Sequence, residues 1–280
     1  MKKFLVFLLI VSLAALTACG STSSEASQKN KENNKTVEGA NALDKVKNSG
    51  KLVIGTTGNY RPFSYMDSNN KLIGYDIEWG NIIAEELGVK AEYVTGQFAG
   101  LIPGLVAHKF DVILSGVNVT EERAKSIDFS ESYAQDGAVA VVKKGTNSVK
   151  SIKDIKGKVV GVNAGSAFEA VVRQIGGFKE LKVYPGAAES FADLSAGRVD
   201  VVAIGLPAAA EYIQNSPSGK DIEITGEPFD VKQIGVAIPK GEAELKAEID
   251  RIIKAKKEDG TYEKLSQKYF GLSFDELVHE

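Results

Sequence analysis

From Lys51 to Phe270, short apolar runs alternate with stretches of helical spacing, and this alternation constrains the fold more than any other feature of the chain. Lys51–Thr57 (KLVIGTT), Ala91–Val94, Asp111–Val117, Lys158–Ala164 (KVVGVNA), Leu181–Tyr184, Val199–Ile204 and Ile234–Ile238 are short, mostly apolar and rich in β-branched residues, so they read as strands. Between them, Tyr75–Leu87 carries Ile77, Ile82, Ile83 and Leu87 at helical spacing before Gly88. Helices are also expected over Phe98–Ala107, Ala167–Ile175, Ala188–Ala196, Glu242–Glu258 and Tyr262–Phe270. Strands alternating with helices imply an α/β fold with helices on both faces of a sheet. A weak internal echo divides the body in two: Phe98-Ala99-Gly100-Leu101 with Lys109-Phe110-Asp111-Val112-Ile113 resembles Phe191-Ala192-Asp193-Leu194 with Arg198-Val199-Asp200-Val201-Val202. Two α/β lobes of this kind would bring strand ends and helix starts to a common cleft, where open sheets bind ligands.

With 280 residues, 43% apolar and 25% charged, the chain is long enough for one large domain or two modest ones. The formal charge of −3 comes with no clustered basic footprint, which argues against a nucleic-acid partner. One cysteine, Cys19, excludes an intrachain disulfide, and with His108 and His279 far apart it offers no metal-ligand cluster and no sign of a cofactor.

The N-terminus carries an address. Lys2 and Lys3 precede an apolar run from Phe4 to Leu16, too short for a comfortable permanent span but right for a signal peptide. Leu16-Thr17-Ala18-Cys19 resembles a bacterial lipobox, in which the cysteine becomes the lipidated first residue of the mature protein. Residues 1–18 are therefore expected to be a lipoprotein signal peptide and Cys19 the site of lipid (palmitate) attachment. The segment that follows is polar and nearly free of large apolar groups, so residues 19–45 are expected to be a flexible tether holding the body at the extracytoplasmic face of the cell membrane.

Within the body, residues 111–133 (DVILSGVNVTEERAKSIDFSESY) carry the most chemistry. A strand runs into Ser115 and Gly116, and Thr120 can cap a helix opened by Glu121, Glu122 and Arg123. A helix start leaves backbone N–H groups unpaired, and Arg123 adds a planar, permanently charged fork that suits a carboxylate. Taken alone, Arg123 reads more readily as an ordinary surface arginine paired with Glu or Asp.

The order of motifs over Lys51–Gly271 resembles the polar amino-acid-binding proteins of bacterial ABC importers, solute-binding protein family 3, with the type II periplasmic-binding fold. The residues are Tyr60-x-Pro62-Phe63, Gly74-Tyr75-Asp76-Ile77-Glu78, Phe98-x-Gly100-Leu101-Ile102-Pro103, Thr120-x-x-Arg123, Asp128-Phe129-Ser130, Gly161-Val162-x-x-Gly165-Ser166, Gly197-Arg198-Val199-Asp200 and Tyr269-Phe270-Gly271. The resemblance implies a two-lobed α/β fold crossed twice by the chain, near Gly137–Val142 and Gln233–Ile238. Residues 46–138 and 237–280 would form lobe 1 and residues 139–236 lobe 2. It further implies a monomer that binds a small solute between the lobes, closes and delivers it to a membrane permease, without acting as an enzyme.

Carried over position by position, Arg123 is the carboxylate clamp, assisted by backbone N–H groups of Asn118 and Ala167. Gly116 offers a carbonyl, and Asn118 a side-chain oxygen, to the ligand's amino group. Tyr60 and Phe98 sandwich the ligand, Ser166 opens a lobe 2 helix as cap and contact, and Thr57, Ser115 and Gly205 complete the expected set. Phe63, Trp79, Asp76 and Asp128 are expected to be structural. Two positions depart from the family's pattern. Many members carry an Asp that pairs with the ligand's ammonium where this chain has Gly205, and many carry an acid where it has Thr57. A buried cation without an anionic partner is costly, which argues against lysine, arginine or ornithine and for a neutral or sulfur-containing amino acid, or a derivative whose amine is masked or placed elsewhere. Asp136, Glu169 and Glu189 are the acids that can substitute. Two alternatives share the fold: an enzyme similar to cyclohexadienyl dehydratase, and a ligand sensor or adhesin that feeds no permease.

Overall fold

The helix starts and stops of this chain follow from local chemistry visible in a computed structural model, which describes residues 41–271. Helix α1 (Ala42–Ser49) is capped by Asn41, whose side chain accepts from the Asp44 N–H, and ends at Gly50 in the left-handed region. Helix α1 overlaps the last residues of the stretch expected to be tether, with Asn41 as its cap and Val46 as a buried anchor. The expected signal peptide, Cys19 and the rest of the tether lie outside the described residues. There follow β1 (Lys51–Thr56), β2 (Asn59–Tyr60), β3 (Ser64–Met66), β4 (Leu72–Ile73), α2 (Tyr75–Glu86), β5 (Lys90–Thr95), α3 (Phe98–Val106), β6 (Val112–Ile113), α4 (Glu121–Ala124) and β7 (Ile127–Lys143). Then come β8 (Val159–Asn163), α5 (Ala167–Ile175), β9 (Glu180–Tyr184), α6 (Ala187–Ser195), β10 (Val201–Gly205), α7 (Leu206–Asn215), β11 (Ile222–Pro239), α8 (Ala243–Glu258) and α9 (Thr261–Phe270).

Eight strands form one sheet in the order β5-β1-β6-β11-β7-β10-β8-β9, and β2, β3 and β4 form a small second sheet. The triplet β5-β1-β6 and the triplet β10-β8-β9 are each parallel, while β7 and β11 run antiparallel to each other through the middle. One core gathers around α2, whose Tyr75, Trp79 and Ile83 fall one turn apart and are fully buried against Tyr133, Ile234, Val236 and α8. A second packs Val139, Val141, Phe191, Leu194 and Ile204, and a third packs Val142, Val160, Val162 and Val172 on the other face of the same strands. Burying one such aliphatic or aromatic side chain contributes about 2 kcal/mol, so each half carries its own stabilising core.

The chain passes between the halves along β7 and β11. Ala134 and Ile234 belong to the first core, whereas Ala138 and Val139 already pack in the second half, as does Phe229. The packing changes from one core to the other between Ala134 and Ala138 along β7 and between Phe229 and Ile234 along β11. Val236 packs in the first core, and the apolar runs Val139–Val142 and Ile234–Ile238 are buried strand.

Candidate ligand-binding site

The residues expected to bind ligand follow the carboxyl ends of parallel strands. Thr57 follows β1, Ser115 and Gly116 follow β6, Ser166 follows β8, and Gly205 ends β10. Thr57, Gly116 and Ser166 meet around a cavity of about 30 Å³ lined by Thr57, Asn59, Tyr60, Phe98, Gly116 and Asn118 from the first half and by Asn163, Ser166, Phe168, Pro185 and Gly186 from the second. None of these lining residues is acidic.

Arg123 does not line this cavity but contacts two residues that do, Asn118 and Phe98. Thr120 caps α4 by accepting the Arg123 N–H at 3.2 Å, which fixes the start of the side chain. The guanidinium is buried, 9% exposed, and its fork donates to the Asn118 carbonyl at 2.8 Å and across the cleft to the Gly165 carbonyl at 3.1 Å. Its carbon lies 5.3 Å from the centre of the Phe98 ring. Among the described residues no carboxylate pairs with it, and burial pulls its pKa down from 12.5 to about 10, which still leaves it charged at neutral pH.

The neighbouring groups are held by a second set of contacts. Gly116 adopts φ +57°, and a Cβ there would lie 3.3 Å from the Tyr60 ring, so glycine suits both the backbone and the packing. Its N–H bonds to the buried Asp76 carboxylate, which also accepts the Tyr133 hydroxyl at 2.7 Å. Burial outweighs both bonds and raises the Asp76 pKa to about 7. Asn118 is 4% exposed and its side-chain nitrogen has no partner, so a buried polar atom at the cavity wall remains to be satisfied. Tyr60 stacks on Phe63 at 5.4 Å with 7° between the rings. Phe63 and Trp79 are core residues, and Asp128 pairs with Lys240 and accepts the Gly241 N–H.

In the second half, Ser166 caps α5 by accepting the Glu169 N–H at 3.1 Å while lining the cavity. Ala167 is the first residue of α5, where helix geometry leaves the N–H without an intrahelical acceptor. Of the expected residues, Arg123, Ala167, Ser115 and Gly205 are not in the lining of the cavity. Ser115 is fully buried and its hydroxyl accepts from the Thr57 N–H at 3.2 Å, so it holds Thr57 in place rather than facing the cavity. Gly205 is buried as the N-cap of α7 and lacks any side-chain cap. The sequence gives no separate signal for Asn59, Asn163, Phe168, Pro185 and Gly186: Asn59 starts β2, Asn163 ends β8, Phe168 lies in the first turn of α5, and Pro185 and Gly186 join β9 to α6.

Of the three acids able to stand in for a residue at 205, Glu169 is engaged by the Gly165 N–H and Arg173, and Glu189 is exposed. Asp136 is different: it is 3% exposed, and a Cβ on Gly205 would fall 1.9 Å from its Oδ2.

The family model for bacterial extracellular solute-binding proteins, family 3, matches residues 52–272. The chain belongs to this family. It is 34% identical over 230 residues to the L-cystine-binding protein TcyJ of Escherichia coli K12, covering 82% of this chain and 86% of that protein. It is 35% identical over 225 residues to the lysine/arginine/ornithine-binding periplasmic protein of the same organism, covering 78% and 86%. Among solved structures, an ancestral arginine-binding protein bound to arginine superposes with a TM-score of 0.76 at 40% identity, covering 79% of this chain and 98% of its own. The family 3 protein described here is thus a two-lobed, extracytoplasmic solute-binding protein of an ABC transporter and not an enzyme. The dehydratase-like alternative is the less supported reading.

Proposed function

We propose that this family 3 protein is a lipid-anchored receptor that captures a free amino acid with a neutral side chain, sulfur-containing ones included. It closes on that ligand as a monomer and hands it to an ABC permease. The observation that carries the reading is Arg123: a buried, charged fork whose hydrogen-bond partners are neutral carbonyls from both halves, beside an aromatic-walled cavity. A ligand carboxylate supplies the anion that such a fork recognises in bidentate fashion. The free amide nitrogen of Asn118 and the start of α5 at Ser166 and Ala167 support the same end of the ligand. Against a lysine or arginine ligand, no acid lines the cavity around Thr57 to meet a second cation. The lobes are those meeting at β7 and β11, and Cys19 carries the anchor.

Isothermal titration with L-cystine, L-methionine, L-glutamine, L-leucine, L-lysine and L-arginine tests the ligand. Binding of a neutral member and loss of that binding in Arg123→Ala is the expected result. Tight binding of lysine or arginine alone refutes the neutral-ligand reading. For the anchor, Cys19→Ser is expected to move the protein from the membrane fraction to the soluble fraction, and no change in fractionation refutes it.

A further inference from the structure

The space between the halves does not end at Asn59. That residue lines the ligand cavity and also a second cavity, of about 440 Å³, walled by Arg61 and Tyr65 from the first half and by Ala187, Glu211 and Tyr212 from the second. Gly186 lines the first cavity, and the next residue, Ala187, lines the second. A Cβ on Gly186 would fall 2.9 Å from the Asn59 Nδ2, so the partition between the cavities is one exposed amide set against bare backbone. Beyond it stands a pair of opposite charges. The Arg61 guanidinium carbon lies 3.9 Å from the centre of the Tyr65 ring, and its Nη1 lies 3.4 Å from Oε1 of Glu211 on α7. A firm charge-assisted bond is shorter, about 2.7–2.9 Å. The Arg61 side chain is 48% exposed and the Glu211 side chain 13%, and the other contact of the Glu211 carboxylate is the Asn215 amide at 3.5 Å. Arg61 thus spends one donor of its fork on a loose contact and keeps the others for a further partner.

We propose that the second cavity receives a second zwitterionic head of the ligand, its carboxylate on Arg61 and its ammonium on Glu211. The ligand class is then an amino acid with two such heads on one chain, as in L-cystine. The inference rests on the reading that the first cavity binds an amino acid beside Arg123, and it names the substrate class of that site. A zwitterionic head is net neutral, so it replaces the loose Arg61–Glu211 contact and leaves neither charge without a partner. A lone side-chain cation, as in lysine or arginine, would take Glu211 and strand Arg61. The ligand passes from one cavity to the other by turning the Asn59 amide aside, which the bare backbone at Gly186 permits.

Titration calorimetry on the purified protein compares L-cystine with S-methyl-L-cysteine, which ends just past the sulfur and has one head. L-Cystine is expected to bind at least about tenfold more tightly. Arg61→Met and Glu211→Gln are each expected to weaken L-cystine about tenfold, the order for one charge-assisted hydrogen bond near solvent, and to leave S-methyl-L-cysteine within about twofold. The proposal is overturned if S-methyl-L-cysteine binds wild type as tightly as L-cystine, or if both variants hold L-cystine within about twofold of wild type. Equal weakening of the two ligands also overturns it, because the pair would then be a latch between the halves that never meets ligand. Should the variants fail to fold, the comparison of the two ligands on wild type decides. If neither ligand binds but L-glutamine or L-leucine does, the second head is refuted while the amino-acid reading of the first cavity stands. If no free amino acid binds, that reading itself fails.

Discussion

Replacing Arg123 by Met separates ligand capture from fold stability. Burial pulls the guanidinium pKa down from 12.5 to about 10. At about 1.4 kcal/mol per unit, holding that charge costs the ligand-free protein about 3 kcal/mol. Its two charge-assisted bonds, to the Asn118 and Gly165 carbonyls, offset about 1.5 kcal/mol each. The two contributions nearly cancel, so an apolar side chain of similar length is expected to leave the ligand-free protein within about 1 kcal/mol, or a shift of about 2–4 °C in Tm. Ligand at a hundredfold excess over Kd stabilises wild type by about 2.7 kcal/mol, a rise of about 5–10 °C. In Arg123→Met that rise is expected to vanish. Thermal melts with and without ligand, paired with titration calorimetry, read both quantities. A ligand-free variant melting more than about 10 °C below wild type would show that Arg123 holds the fold, and an undiminished ligand-induced rise would show that it does not touch the ligand.

Three further outcomes are expected. Asp76, with its pKa raised from 3.8 to about 7 by burial, keeps its proton in the folded protein where the unfolded chain has lost it, so its contribution to stability is present below about pH 4 and is lost as pH rises through about 7. Asp76→Asn removes that loss and should raise the Tm at pH 8 but not at pH 4; equal effects at both would contradict the assignment. Gly116→Ala forces an L residue into φ +57° and presses on Tyr60, costing about 1–2 kcal/mol of unfolding free energy, read by urea titration, and lowering affinity as the wall shifts. Tyr60→Ala should weaken binding about tenfold, less than loss of Arg123, because it removes an aromatic wall and not a charge; a larger loss in calorimetry than for Arg123→Ala would reverse that ranking.

Much of this architecture was legible in the residues because its signals are local. Thr120 and Ser166 cap their helices as their side chains suggest, and the strands near Lys51, Ala91 and Lys158 were placed to within about two residues. The central strands were not. Residues 127–143 read IDFSESYAQDGAVAVVK, and the burial period changes as the chain leaves one core for the other, so no single alternation runs its length. β11 carries Gly226 and Pro228 and several register shifts, which hid all but its last residues. Helix α7 was missed because Leu206-Pro207-Ala208-Ala209-Ala210 has neither a side-chain cap nor a strong apolar stripe. At the site, Ser115 could be told from a wall residue only by seeing its hydroxyl on Thr57. The closeness of Asp136 to Gly205 depends on the antiparallel pairing of Gly205 with Ala138, a relation between residues far apart in sequence.

That pairing bears on how the molecule opens. β7 and β11 run side by side through both halves, with ladder contacts from Ile127–Pro239 at one end to Lys143–Ile222 at the other and irregular steps between Thr225 and Lys232 and again between Ile234 and Ala237. The joint is accordingly a two-stranded ribbon rather than a pair of slack loops. Swinging the halves apart means twisting that ribbon where its ladder is already broken, while the regular rungs on either side act as splints. Amide hydrogens on those outer rungs should stay protected whether or not ligand is present, and the gain in protection on binding should concentrate at the few residues around Asp136 and Lys232.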